Sequence, residues 1–104
     1  MPLTKGFKQT VLERAQRDSR FRIGLLTEAL ECLLNNEIDV AKSLLRDYVN
    51  ATIGFQELGL RVDKEPSSLM RMLGPNGNPN ITNLSQVIAA VRDHEGIRLK
   101  VRAS

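Results

Sequence analysis

The chain has 104 residues, with 15 Lys and Arg against 12 Asp and Glu, a formal net charge of +3 and a pI near 9.4. That length suits a single domain with one hydrophobic core. A composition 41% hydrophobic and 26% charged excludes a disordered chain, and no apolar run approaches the ~18 residues needed to cross a bilayer, so no membrane partner is expected. With aromatics at 4% and no Trp, the core must come from Leu, Ile, Val, Ala and Met. The first eight residues lack the long apolar stretch of a secretory signal. One cysteine, Cys32, cannot form an internal disulfide and suits a reducing compartment, so the expected location is cytoplasmic.

In chain order, the first helix is expected after Thr4, an N-cap residue, with Phe7, Val11, Leu12 and Ala15 on a 3.6-residue stripe to about Gln16. Asp18 or Ser19 caps a second helix whose wide face holds Arg22, Leu26, Ala29, Leu30, Leu33 and Leu34, flanked by Phe21 and Leu25. Asn35-Asn36 ends it, because Asn tolerates the left-handed conformation. Asp39 is expected to cap a third helix, with Val40, Leu44, Leu45, Tyr48 and Val49 inward, until Gly54 breaks the pattern. Phe55–Leu60 reads as a short helix and Arg61–Glu65 as a turn. Pro66 then opens a helix that Gly74-Pro75 closes, the usual placing of Pro at a start and Gly past an end. Pro75–Pro79 is a loop, and Asn80 or Thr82 caps an amphipathic helix with Ile81, Leu84, Val87, Ile88 and Val91 on one face, stopped by Gly96. Ile97, Leu99 and Val101 alternate with Arg98, Lys100 and Arg102, which is strand periodicity. A lone strand leaves backbone groups unpaired, so residues 97–102 are expected to pair with a second copy of the chain.

Charge is unevenly spread. Residues 1–22 carry six basic and two acidic side chains, residues 23–53 two basic and five acidic, residues 54–91 three of each, and residues 92–104 four basic and two acidic. Such clusters are often ordinary solvated helix faces. Few residues look chemical. His94 faces the negative end of its helix, Cys32 behaves as a small hydrophobe beside an apolar stripe, and Tyr48 is a core or dimer residue. No spacing of Cys and His suggests a metal, no Gly-rich loop suggests a nucleotide, and no pair of carboxylates is placed around a concave site. Neither a cofactor nor catalysis is expected.

Two short helices joined by a tight turn make a helix-turn-helix, although a helical bundle also turns corners this way. Leu58, Val62, Leu69 and Leu73 pack between the helices, and Gly59 allows close approach. The second helix then offers Ser67, Ser68 and Arg71 to base edges in the major groove, where Arg recognises guanine with two hydrogen bonds. Gln56, Arg61, Lys64, Asn76 and Asn78 are the candidates for the DNA backbone. The segments Ile53–Gly59, Leu69–Gly74, Asn78-Pro79 and Leu84–Val91 together resemble the phage-repressor-like (XRE) helix-turn-helix family, over about residues 44–92. Residues 44–55 are similar to its HigA-like addiction-module antidotes. Gly54 and Phe55 stand where the family has a Ser or Thr cap and Gln, with Gln56 available instead, and Asp63 stands at the family's turn glycine.

The resemblance implies an all-α, five-helix lambda-repressor-like bundle with one short C-terminal β-strand. The parts are an N-terminal helical pair at 1–38, a helix-turn-helix core at 39–95 and the strand at 97–102. It also implies an antitoxin that binds double-stranded DNA as a homodimer, represses its own operon and neutralises a small basic RelE-like toxin. The toxin site is expected within residues 1–40, on either the acidic Glu28, Glu31, Glu37 and Asp39 or the basic first helix with Lys5, Lys8 and Arg14 beside Phe7 and Val11. The alternative is an interaction module that neutralises a basic partner without functional DNA binding.

Overall fold

The computed structural model describes residues 3–104, with the side chains of residues 3–5 outside that description. The chain is all-helical: α1 (Leu3–Arg17), α2 (Ser19–Leu34), α3 (Ile38–Ala51), α4 (Gly54–Val62), α5 (Pro66–Met72) and α6 (Ile81–Glu95). Among the described residues six helices stand where a five-helix bundle was expected, and the short helix read at 55–60 runs nine residues, taking in Gly54, Arg61 and Val62. The expected C-terminal strand is also corrected. Among the described residues no strand pairs with residues 97–102, whose Ile97 N–H turns back to the Arg92 carbonyl at 3.3 Å, and without a ladder partner an alternating segment is not a strand.

Local chemistry sets most helix ends. Asp18 caps α2 by accepting a hydrogen bond from the Phe21 backbone N–H at 3.2 Å. That bond, helped by the Arg14 guanidinium, holds the Asp18 carboxyl below its ordinary range. Its contribution is therefore present above the usual carboxylate pKa and is lost as pH falls through the lowered one. Asn36 turns the chain out of α2 with φ of 65°. The third helix starts earlier than Asp39. Glu37 occupies the cap position without a side-chain cap bond, and Asp39 lies in the first turn. Likewise α1 begins at Leu3, which places Thr4 inside the helix, and the Lys5 side chain lies outside the described residues.

The core is one cluster drawn from α2 to α6, including Leu26, Leu45, Tyr48, Leu58, Leu69, Leu73, Val87 and Val91. The most extensive helix pairing is α2 with α3; α1 packs against both, and α4 joins α3, α5 and α6. Four residues of the expected apolar faces point outward: Phe7 is 61% exposed, Leu34 66%, Val40 48% and Ile81 84%. On α3 the buried face is centred on Ala41, Leu45, Tyr48 and Val49, which leaves Val40 at its rim. Ile81 is the first residue of α6 and overhangs the edge of the core, which Val87, Ala90 and Val91 fill.

One polar knot ties four helices. Arg22, on the otherwise apolar face of α2, donates through Nε to both Glu95 oxygens (3.1 and 3.0 Å) and through Nη1 to the Ala15 carbonyl of α1 at 3.2 Å. The Tyr48 hydroxyl of α3 donates to the same Glu95 carboxylate at the end of α6. Burial first, and the bond to Glu95 second, push the Tyr48 phenol far above its usual pKa. The Arg22 and Glu95 side chains are 24% and 6% exposed, so the carboxylate has few waters to replace its donors. Replacing Glu95 with Ala strands a guanidinium and a buried phenol, and should cost about 2–3 kcal/mol in chemical denaturation. Tyr48→Phe removes one donor and should cost about 1 kcal/mol. A Glu95→Ala variant as stable as the parent would show that the knot holds nothing together.

Candidate nucleic-acid interface

Asp63 ends α4 in the left-handed region (φ 56°, ψ 52°), a conformation that Asp enters more readily than most residues. From there the Lys64 N–H reaches back to the Gly59 carbonyl at 3.0 Å. Gly59 is required by this fold-back: a Cβ there would stand 2.6 Å from the Lys64 carbonyl oxygen and against the Pro66 ring. Glu65 is extended, as a residue before proline must be, and Pro66 opens α5. The sequence reading placed the close approach between the two helices. It is the turn itself that passes over Gly59.

Leu58, Leu69 and Leu73 are fully buried and seat α5 on α4 and the core. Helical geometry then turns Ser67, Met70 and Arg71 to solvent, while Ser68 and Met72 are half-buried. Of the two methionines beside Arg71, Met72 packs on the core and Met70 does not. The Arg71 guanidinium lies 3.5 Å from the Ser68 hydroxyl, and among the described residues it has no carboxylate partner.

Beside α5 runs an open cleft of about 430 Å³ that brings together Lys64, Ser68, Asn78, Asn80 and Asn83, with Glu65 and Met72. Asn80 caps α6 by accepting from the Asn83 backbone N–H at 2.7 Å. Sequence reasoning gave Asn80 only that capping role and did not include Asn83, although both present amides to the same cleft. Not every candidate gathers here. Gln56 is exposed in the first turn of α4, and Asn76 is exposed in the loop before α6. Arg61 lies on α4, pairs with Glu57 at 3.3 Å and lines a different depression with Gln86 and Asp93.

The loop after α5 is fastened from behind by two cations of α3 that the sequence reading counted only as surface charge. Lys42 Nζ donates to the Gly77 carbonyl at 2.6 Å and the Pro75 carbonyl at 3.5 Å, and Arg46 Nη1 to the Leu73 carbonyl at 2.6 Å. Gly77 is pressed so close to the end of α5 that a Cβ would fall 2.2 Å from the Arg71 and Met72 carbonyl oxygens.

On another side, residues 97–102 lie along α2. Ile97 and Leu99 are half-buried against the core, whereas Val101 is 83% exposed. Between this segment and Ile23, Leu30 and Leu34 of α2 is a groove of about 520 Å³. Glu28, Glu31, Glu37 and Asp39 are all exposed around the end of α2 and the start of α3. Partial burial and the neighbouring Glu37 and Glu28 carboxylates raise the Cys32 thiol, away from the reactive thiolate. No helix among the described residues is long and apolar enough to cross a membrane. Comparison of the chain with models of known families, with curated proteins and with solved structures finds no match in any of the three.

Proposed function

We propose that the chain is a sequence-specific DNA-binding regulator built on a lambda-repressor-like helix-turn-helix, the antitoxin of a RelE-like toxin, acting in the cytoplasm as a repressor of its own operon. The observation that carries the reading is the outward face of α5. There Ser67 and Arg71 are exposed and free of carboxylates among the described residues, on a helix seated by Leu69 and Leu73. Arg71 reads a base edge, with Ser67 and Ser68 beside it. Lys64, Asn76 and Asn78 grip the backbone, joined by the Asn80 and Asn83 side chains at the start of α6, where the first-turn N–H groups not taken by the Asn80 cap favour phosphate oxygens. Gln56 is the candidate for an outer backbone contact. Arg61 is the weakest of the set because Glu57 already neutralises it.

Two-fold DNA sites call for a dimer. Residues 97–102 supply an edge whose backbone groups beyond Ile97 form no ladder among the described residues, and an apolar row, Ile97, Leu99 and Val101, that reaches solvent at Val101. A second copy pairing along this edge satisfies both chains at once. For the toxin, the exposed Glu28, Glu31, Glu37 and Asp39 form the surface that suits a basic partner, by raising its association rate. The same acidic surface and the neutrality of the recognition segment favour the second reading, a protein-binding module without functional DNA binding.

A gel shift with the DNA upstream of the coding region separates the two readings. In the repressor, Arg71→Ala should weaken the cognate site by about 1–3 kcal/mol and relax preference at one base position. An equal loss on cognate and random DNA would remove the base-reading role. Truncation after Gly96 should yield a monomer in sedimentation, and a truncated chain that still dimerises tightly would place the interface elsewhere. Charge reversal of Glu28, Glu31 and Glu37 together should slow capture of a co-expressed basic toxin. Unchanged association kinetics would clear this surface of that role.

A further inference from the structure

Lys42 is the one cation buried among the described residues, at 5% exposure. A buried ammonium is expensive unless its protons are used, and this one spends them on backbone. Its Nζ donates to the carbonyls of Gly77 (2.6 Å) and Pro75 (3.5 Å), while Arg46, one turn further along α3, donates to the carbonyl of Leu73 at 2.6 Å. The single carboxylate near Lys42 is Asp39, at 3.7 Å and 90% exposed, too solvated to hold the ammonium in place. The three carbonyls fall at every second residue of the loop that leaves the C-terminal, negative end of α5.

That loop has little else to fix it. Its own backbone bonds are Gly74 N–H to the Arg71 carbonyl and Gly77 N–H to the Gly74 carbonyl, both at 3.0 Å. Pro75 and Pro79 have no N–H to give. Asn76 and Asn78 present exposed side chains, and no side chain of the loop after Leu73 enters the core. Gly77 pins the loop to the last turn of α5 by close approach, without a bond.

From this geometry we infer that Lys42 and Arg46 are positioning residues for nucleic-acid binding. From behind, they set where Asn76 and Asn78 stand relative to the Ser67–Arg71 face, and neither touches the nucleic acid. The inference rests on the DNA-binding reading and names a pair that the recognition surface itself does not include. An apolar residue at position 42 would spare the desolvation of the ammonium but leave the loop carbonyls without a partner, so the ammonium's role is to fix geometry.

The test uses the full chain with Lys42→Met and Arg46→Met, singly and together, at a temperature where circular dichroism shows each variant folded. Without DNA, Gly77 amide hydrogen exchange should quicken about tenfold or more while the amides of Val49 and Val87 keep their rates. With the upstream DNA, affinity for cognate and random duplex should fall together, about five- to tenfold, because backbone contacts are misplaced while base reading by Arg71 is intact. The slope of log affinity against log salt should stay unchanged, whereas loss of a direct phosphate contact would reduce it by about 0.9. A reduced slope, unchanged affinity beside a loosened loop, or unchanged exchange at Gly77 would each overturn the assignment. Should the unmodified chain bind no DNA, the DNA-binding reading fails and the positioning role with it. The exchange data would still report whether the two cations hold the loop.

Discussion

Glu95 is the last residue of α6, yet its carboxylate is buried and surrounded by donors from elsewhere. Arg22 of α2 and Tyr48 of α3 both give protons to it, and Arg22 extends the network to the end of α1. With few aromatics the chain has small means of locking helices by ring packing, and aliphatic faces of Leu and Val specify a register less sharply than directional bonds do. A carboxylate that accepts from fixed directions removes that freedom. It sets the register of α6 against α2 and α3, and through α6 the height of its first residues, where Asn80 and Asn83 meet the cleft beside α5.

The third helix is the other half of the arrangement. Its buried face, Ala41, Leu45, Tyr48 and Val49, belongs to the core, while Lys42 and Arg46 hold the carbonyls behind α5. One helix thus fixes both the body of the molecule and the loop beside the exposed face of α5. The surface groups need little structure of their own. Ser67, Arg71 and Asn76 stand in solvent because everything beneath them is fastened.

How much of this was legible follows from what each feature depends on. Asp18, Asn36, Pro66 and Asn80 could be read in the sequence because a cap, a left-handed residue or a helical proline acts on the chain within three or four residues of itself. Asp63 also adopts the left-handed turn expected of a residue standing at a glycine position. The knot left only a trace, an arginine at position 22 in an otherwise apolar stripe, and nothing local tied it to Glu95. Lys42 and Arg46 were invisible for the same reason, since they serve backbone carbonyls about thirty residues away, which have no side-chain signature. Val40 and Ile81 match the apolar period but lie at the rim of a face and at the tip of a helix, where period alone cannot tell inside from outside. Residues 97–102 have the alternation of a strand, and a single chain has nothing to pair with them. The candidate site divides likewise: Lys64 and Ser68 stand together at the start of α5 and meet Asn78 of the following loop across one cleft, while Arg61 was misplaced when α4 ran further than expected.

The bond between Arg22 and Glu95 joins residues 73 positions apart, which has a kinetic meaning as well as a structural one. Closing so long a segment costs entropy that the adjacent helices α2 and α3 do not have to meet, so their local contacts can form first. An interaction completed after the folding barrier adds little to the speed of folding and mainly slows escape from the native state. The knot therefore belongs among the features that set the lifetime of the folded chain. Where proteases cleave an opened chain faster than it can close again, that lifetime governs how long each copy persists.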